Sequence, residues 1–288
     1  MQVLAVSLAG ITLNSTDRYK HDLTVLVKES AADLVVLPAH SALLLGLALG
    51  ELASAATFTT TVYNYLADKK GAWNKKFLAL HGSLASELNI YLACGTLFEA
   101  EQEKSYQSAY CFNPAGNIYC RQQQTHLTRA ERELGLSRGK ALNLFSVDNF
   151  QVGMVVGNDS RHPEVGRIFG LRGADLLLHS GALEGSFNCW PQAAGMWAQV
   201  QQNQFWAVEA QLCGEVAGCG FNAASAILGP CEITPGQSGY LERGYPGTAA
   251  VSAKLDENTR HLLRESYPLL KLLNPEAYRV LAGKRSRY

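Results

Sequence analysis

The chain has 288 residues, 47% of them hydrophobic, with 25 Lys+Arg balanced by 25 Asp+Glu. That length allows one large core or two modest ones. A neutral chain without a basic stripe lacks the electrostatic footprint of a nucleic-acid binder. Its one basic cluster, Lys284, Arg285 and Arg287, reads as a solvated tail. Seven cysteines, an odd number with no C-x-x-C spacing, argue against a disulfide framework or a zinc site. They point to a reducing, cytoplasmic setting. The first ten residues carry no Lys or Arg and run straight into a strand pattern, so no signal peptide is expected. The longest uncharged run, 34–50, is interrupted by Pro38 and His40 and is shorter than the roughly 20 residues of a membrane span.

Val3 to Leu8 is a short apolar run, a candidate buried strand. Ser15 or Thr16 caps a helix whose stripe is Tyr19, Leu23, Val27 and Ala31. A second buried strand spans 33–38 and stops at Pro38. The resulting β-α-β unit implies parallel neighbours. Residues 41–56 are very apolar, which suggests core, with an interface as the alternative. Phe77, Leu80, Leu84 and Leu88 mark another helix, and 90–97 another strand. Residues 108–112 and 118–120 read as strands joined by a turn at 114–117. The charged stretch 128–140 reads as a loop.

Residues 142–147 and 150–156 form a hairpin across Asp148-Asn149. The stretch 152–164, VGMVVGNDSRHPE, is a buried strand that stops at a polar turn and then opens a helix at Pro163. Such a turn lies outside the carboxyl end of a strand, where α/β proteins place their chemistry. Further on, 175–179 is a strand and 191–208 a helix. Residues 211–216, 224–228 and 248–253 are strands, and 257–264 is a last helix. The order predicts one α/β domain over 1–265, two sheets covered by helices on both outer faces, and a C-terminal tail over 266–288.

These motifs resemble the nitrilase, or carbon–nitrogen hydrolase, superfamily across nearly the whole chain. Leu37-Pro38 resembles the strand end that precedes the family's glutamate. His126-Leu127 resembles the H-L that follows its lysine, and Glu131-Arg132 its G-E-R loop. Asp159, Arg161, Pro163 and Glu164 resemble the turn C-x-D-x-R-x-P-E. The Asn158-Asp159 pair is nearer the C-N-D of the N-carbamoyl-D-amino-acid amidohydrolase branch. Residues 170–174 are similar to the helix and strand that follow the turn. Asn188, Trp190-Pro191, Trp197 and Asn203-Gln204 resemble later segments, with Gln199 and Gln202 replacing an Arg and a Glu. Residues 274–278 are similar to the terminal R-P-x-x-Y.

The resemblance implies a four-layer α-β-β-α sandwich and a Glu–Lys–Cys triad that cleaves nitriles, amides or carbamoyl groups. On the same match the triad positions hold Ala39, Gln124 and Gly157. Gly157 can form no covalent intermediate. Ala39 can accept no proton. Gln124 brings no charge to an oxyanion. The expectation is therefore a catalytically degenerate protein, with no cofactor and no metal. It would bind a small amide or carbamoyl-like ligand in a pocket of Ala39, Gln124, Glu131, Gly157, Asn158 and Cys189, or serve oligomerisation or regulation. The alternative is an amide or carbamoyl hydrolase with a relocated nucleophile. Cys189 is the candidate by sequence, with His126, His162 or His179 as base, and the deciding observation is whether it reaches a His or carboxylate in the cleft. Asp159 and Arg161 are expected as structural residues, each with a partner. A homodimer or larger is expected, pairing through 164–172 and 190–205. The apolar tail of Tyr267, Leu269, Leu270, Leu272 and Leu273 would cross to the partner.

Overall fold

The computed structural model describes residues 1–68 and 71–277. In chain order its first half is β1 (Gln2–Val6), α1 (Thr16–Ser30), β2 (Leu34–Val36), α2 (Ser41–Ala48), α3 (Phe58–Ala67) and α4 (Ala72–Leu88). Then follow β3 (Tyr91–Glu101), β4 (Lys104–Phe112), β5 (Ile118–Gln123), α5 (Arg129–Glu133), β6 (Leu144–Val147) and β7 (Phe150–Val156). The second half comprises α6 (Pro163–Leu171), β8 (Leu176–Gly181), α7 (Cys189–Ala193), α8 (Met196–Asn203), β9 (Trp206–Gln211) and β10 (Cys213–Val216). It closes with β11 (Cys219–Asn222), β12 (Ala226–Leu228), β13 (Tyr240–Arg243), β14 (Ala250–Lys254) and α9 (Glu257–Ser266).

The strands form two six-stranded sheets, ordered β14-β1-β2-β3-β4-β5 and β13-β12-β9-β8-β7-β6, and β10 pairs β11 alone. Within each sheet three central strands run parallel, β1–β2–β3 and β7–β8–β9. Side chains alternate across a strand, so one strand feeds two layers. Val3, Ala5, Leu34 and Val36 turn inward onto Met154, Val156, Leu176 and Leu178 of the other sheet. Leu4 and Val6 turn outward into the cluster of Tyr19 and Leu23. On the far side Val155 and Leu177 meet Val165, Phe169, Met196 and Val200 of α6 and α8. This is the α-β-β-α sandwich, and burial on both faces explains the unbroken apolar runs.

Local signals set most element ends. The Ser15 side chain caps α1, and Tyr19, Leu23 and Val27 bury its stripe; Ala31 is the left-handed C-cap rather than a buried residue. Residues 41–56 settle as core at their helical end: Ala42, Leu43 and Leu45 are buried, and Trp73 Nε1 donates to Ala42 O at 2.8 Å. Two expectations need correction, and one helix was not foreseen. The stretch 128–140 contains α5, because Thr128 and Glu131 form a capping box. Helix α3 lacks a clear stripe in its Thr run and starts at the Thr57 cap. The helix expected over 191–208 is two short helices broken at Gly195, and Gln204, at φ 56°, ends the second before β9 begins.

The described part of the tail touches its own chain: Gln204 Nε2 donates to Tyr267 O at 3.1 Å. Tyr278 and the basic cluster Lys284, Arg285 and Arg287 lie outside the described residues. Among the described residues no helix is long and apolar enough to cross a membrane.

Buried His81 in α4 shows how a core polar group is satisfied. Its Nδ1 donates to Phe77 O at 2.8 Å and its Nε2 accepts from Tyr19 Oη at 2.8 Å, which fixes a neutral ring. Burial pulls its pKa down to about 4. Below the unfolded value near 6.5 the unfolded chain binds a proton that the folded ring refuses, so stability falls as pH drops from about 6.5 toward 4. His81→Gln, which keeps a donor and an acceptor, is expected to flatten that fall by up to about 1.4 kcal/mol per pH unit. Urea melts of both proteins across this window check it; parallel slopes would contradict it.

Candidate functional site

The carboxyl ends of β2, β7 and β8 converge at one end of the sandwich. Ala39 N donates to Gly181 O at 3.1 Å and Ser180 Oγ to Leu37 O at 2.9 Å, which ties the two sheets together there. After β7 the chain makes a single 3-10 turn, Gly157–Arg161. Gly157 sits at φ 50°, in the left-handed region. Its carbonyl accepts from Ser160 Oγ and His179 Nε2, both at 3.1 Å.

Asp159 anchors this turn. It is wholly buried, and its carboxylate accepts from His126 N at 2.6 Å, Thr125 N at 3.0 Å, Thr125 Oγ1 at 2.9 Å and His126 Nδ1 at 3.2 Å. That bond to Asp159 is the main reason the His126 pKa is raised; neighbouring Glu164 adds to it. The expectation for Asp159 is met. That for Arg161 needs correction: it is exposed at the last residue of the turn, with no hydrogen bond or ion pair found among the described residues.

Beside the turn opens a cleft of about 550 Å³. Ala39, Glu131, Gly157 and Asn158 are on its wall. Gln124 stands just behind: a Cβ added at Gly157 would lie 3.6 Å from its amide. Gln124 Nε2 donates to His126 O at 2.9 Å and to Glu131 at 3.0 and 3.1 Å. These acceptors settle the amide's orientation and leave buried Oε1 without a partner. Two glutamines on the wall also have a buried Oε1, and the partner of Gln107 is a hydroxyl that can donate or accept. Gln107 Nε2 goes to Thr96 Oγ1 and Gln211 Nε2 to Glu209, leaving both Oε1 atoms buried and unpaired. Three glutamine oxygens around the cleft are thus buried with no hydrogen-bond donor found among the described residues.

The opposite wall is aromatic. His40 packs on Phe58, Phe98 and Phe221, with ring centroids 5.2 to 5.7 Å apart. Burial lowers its pKa to about 4, so the ring is neutral. Behind Gly157, His179 Nδ1 lies 3.1 Å from buried Glu209, so both ring nitrogens face oxygens.

Cys189 is not on the cleft wall. It opens α7 beneath the Asn188 cap, and no hydrogen bond to a His or carboxylate is found for it among the described residues. The wall's cysteine is Cys219, at the start of β11 just after the Ala217-Gly218 turn. Glu184, whose carboxylate interacts electrostatically with this thiol, also lines the cleft. Burial chiefly, then the Glu184 charge, pushes its pKa up to about 11. Sequence reading passed over this pair because its members lie on separate elements. The one hint was a cysteine flanked by Gly218 and Gly220 in a hairpin.

The carbon-nitrogen hydrolase family model matches residues 14–252, and the chain belongs to that family. The omega-amidase NIT2-B of Xenopus laevis is 25% identical over 215 residues, 70% of this chain and 74% of that protein. The Bacillus subtilis protein named probable hydrolase YhcX is 27% identical over 130 residues, 42% of this chain; the match spans only 25% of that longer protein. Among solved structures, the amidase from Nesterenkonia sp. AN1 superposes with a TM-score of 0.76 at 19% identity, over 98% of this chain and 99% of that one, which shows the shared fold. That amidase carries acrylamide added at its active-site cysteine.

These relatives are named as enzymes, and nothing in them signals loss of activity, so the expectation of a catalytically degenerate protein is overturned. It had equated the absence of a nucleophile at one position, Gly157, with its absence from the cleft. Cys219 puts a thiol on the cleft wall away from that position.

Asp159→Ala orphans several buried donors and is expected to destabilise the fold by about 1–3 kcal/mol. Arg161→Ala, at an exposed position, is expected to stay within about 0.5 kcal/mol. Denaturant melts of the two variants test the contrast, which equal losses would contradict.

Proposed function

We propose that the protein is an amide or carbamoyl C–N hydrolase whose nucleophile has moved to Cys219. In this reading Ala39, Gln124 and Gly157 stand where the family keeps its glutamate, lysine and cysteine. The observation that carries it is a thiol and a carboxylate, Cys219 and Glu184, lining the same cleft and interacting electrostatically. A thiol with a pKa near 11 holds little thiolate at neutral pH, so it needs a base at the moment of attack. Glu184 takes the proton as sulfur attacks the carbonyl carbon and then delivers it to the departing nitrogen. Ammonia or an amine leaves, and water hydrolyses the thioester to regenerate the thiol.

The amide side chains of Gln107 and Gln211 on the cleft wall suit the polar groups of a primary amide or carbamoyl substrate. Arg161, the one Lys or Arg among the cleft-lining residues, suits a substrate that carries a carboxylate. The Asn158-Asp159 pair favours the N-carbamoyl branch, and the relatives' names favour simple amides. No metal or cofactor enters these steps, and the free thiols suit a reducing, cytoplasmic compartment.

The test is ammonia release from short ω-amides, carboxylate-bearing amides and N-carbamoyl amino acids. Cys219→Ser is expected to lose at least about 100-fold in kcat/KM, and Cys189→Ser to match the unmodified protein. Glu184→Gln separates base from bystander. It should speed alkylation of Cys219 at pH 9, since a negative neighbour is gone, yet slow turnover. No ammonia release from any substrate by the unmodified protein would overturn the proposal.

A homodimer forms part of the same proposal. Trp190 is 78% exposed, Leu171 60% and Leu272 64%, on and beside the helices flanking the turn. Light scattering at micromolar concentration is expected to show a dimer, weakened in a chain ending at Ser266. A monodisperse monomer from the full chain would refute it.

A further inference from the structure

We propose that His126, His162 and Glu164 form a binding site for one divalent cation of the zinc class, at the rim of the cleft and separate from Cys219. Sequence spacing made the histidines look scattered, because 126 and 162 lie far apart in the chain. The fold stacks their rings, with centroids 4.1 Å apart and planes at 18°. His126 Nε2 lies 3.3 Å from Glu164 Oε1, and His162 Nδ1 lies 3.7 Å from the same oxygen. One donor atom from each of the three residues falls within 4.8 Å of the others. Donors about 2.0–2.1 Å from zinc in a tetrahedron are separated by about 3.3–3.4 Å, and since an imidazole donates in its ring plane, the half-exposed His162 ring must swing out of its stack on His126 to complete the geometry.

Two further features mark this as a built site. The first is the support behind His126. Its Nδ1 bonds buried Asp159, which fixes the Nδ1–H tautomer and leaves the Nε2 lone pair facing Glu164. A carboxylate behind a histidine is the usual outer support of a metal-bound imidazole. The second is graded access. The side chains of His126, His162 and Glu164 are 27%, 34% and 53% exposed, so a cation can enter and keep one position open to water.

On the His162 side, Nε2 faces Asn158 Nδ2 at 3.1 Å. Freeing Nδ1 for the cation requires Nε2–H, so the Asn158 amide turns over and gives up the 3.4 Å bond from its Nδ2 to His126 O. Two imidazoles and one carboxylate select zinc, cobalt or nickel over magnesium or calcium, which prefer oxygen. A cation held here would join the segment after β5 to the start of α6 and clamp the turn that carries Asn158. Its role is a clamp on the cleft rim, and it does not depend on the hydrolase reading.

The experiment uses the full chain, stripped with a chelator and titrated with Co²⁺ and then Zn²⁺. One Co²⁺ per chain is expected, with the intense visible bands of low coordination and a higher Tm. Glu164→Gln and His162→Gln change half-buried or exposed side chains, so both variants should fold. Each should weaken binding by roughly tenfold or more. Cys219→Ser should bind as the unmodified chain does, which separates this site from the proposed nucleophile. Failure of the full chain to bind Co²⁺, thiolate charge-transfer bands, or unchanged affinity in both variants would overturn the assignment.

Discussion

The buried carboxylate of Asp159 is the constraint on which the functional end of the molecule depends. A charge in that position is tolerable only with its lone pairs occupied. The donors come from the backbone and side chains of Thr125 and His126. Satisfying it therefore locks the segment after β5 onto the turn after β7, joining one sheet to the other. That lock sets where Gln124 and Glu131 meet Gly157, and it orients the His126 ring toward Glu164. The contacts of Leu37 and Ala39 with Ser180 and Gly181 do the corresponding work between the sheets.

On that frame the cleft is polar in a particular way. Glutamine oxygens buried around it find no donor among the described residues, one wall is aromatic, and two carboxylates, Glu131 and Glu184, line it. The site opposite Gln124 is a glycine in the left-handed region, so any other residue there would be strained. The hairpin β10–β11 brings the thiol from the other side. A nucleophile can change address within a cleft as long as a base and the carbonyl carbon stay in reach, because the chemistry requires geometry and not a chain position.

Much of the fold was legible from residue pattern. Continuous apolar runs marked strands buried on two faces, Pro163 marked the start of α6, and Ser15 marked that of α1. Helix interruptions were harder to see. Residues 191–208 keep helical composition, and only the conformations of Gly195 and Gln204 divide them. The tight antiparallel pairing of β14 with β1 is long-range and left no local trace. At the site, Asp159 and the wall positions Ala39, Glu131, Gly157 and Asn158 were readable because they lie in motifs. Cys219–Glu184 and His126–His162 were not, since each pair meets only when separate elements pack. Cys189 was favoured by its place in a motif and stands off the wall.

The central claim is that turnover passes through sulfur at position 219. The direct measurement is acid quenching of the enzyme during turnover of a slow amide, followed by peptide mapping of the acyl mass. The account predicts the acyl group on Cys219 of the unmodified chain, and its loss in Cys219→Ser. An acyl group found on another residue, or turnover that survives Cys219→Ser at the full rate, would contradict it.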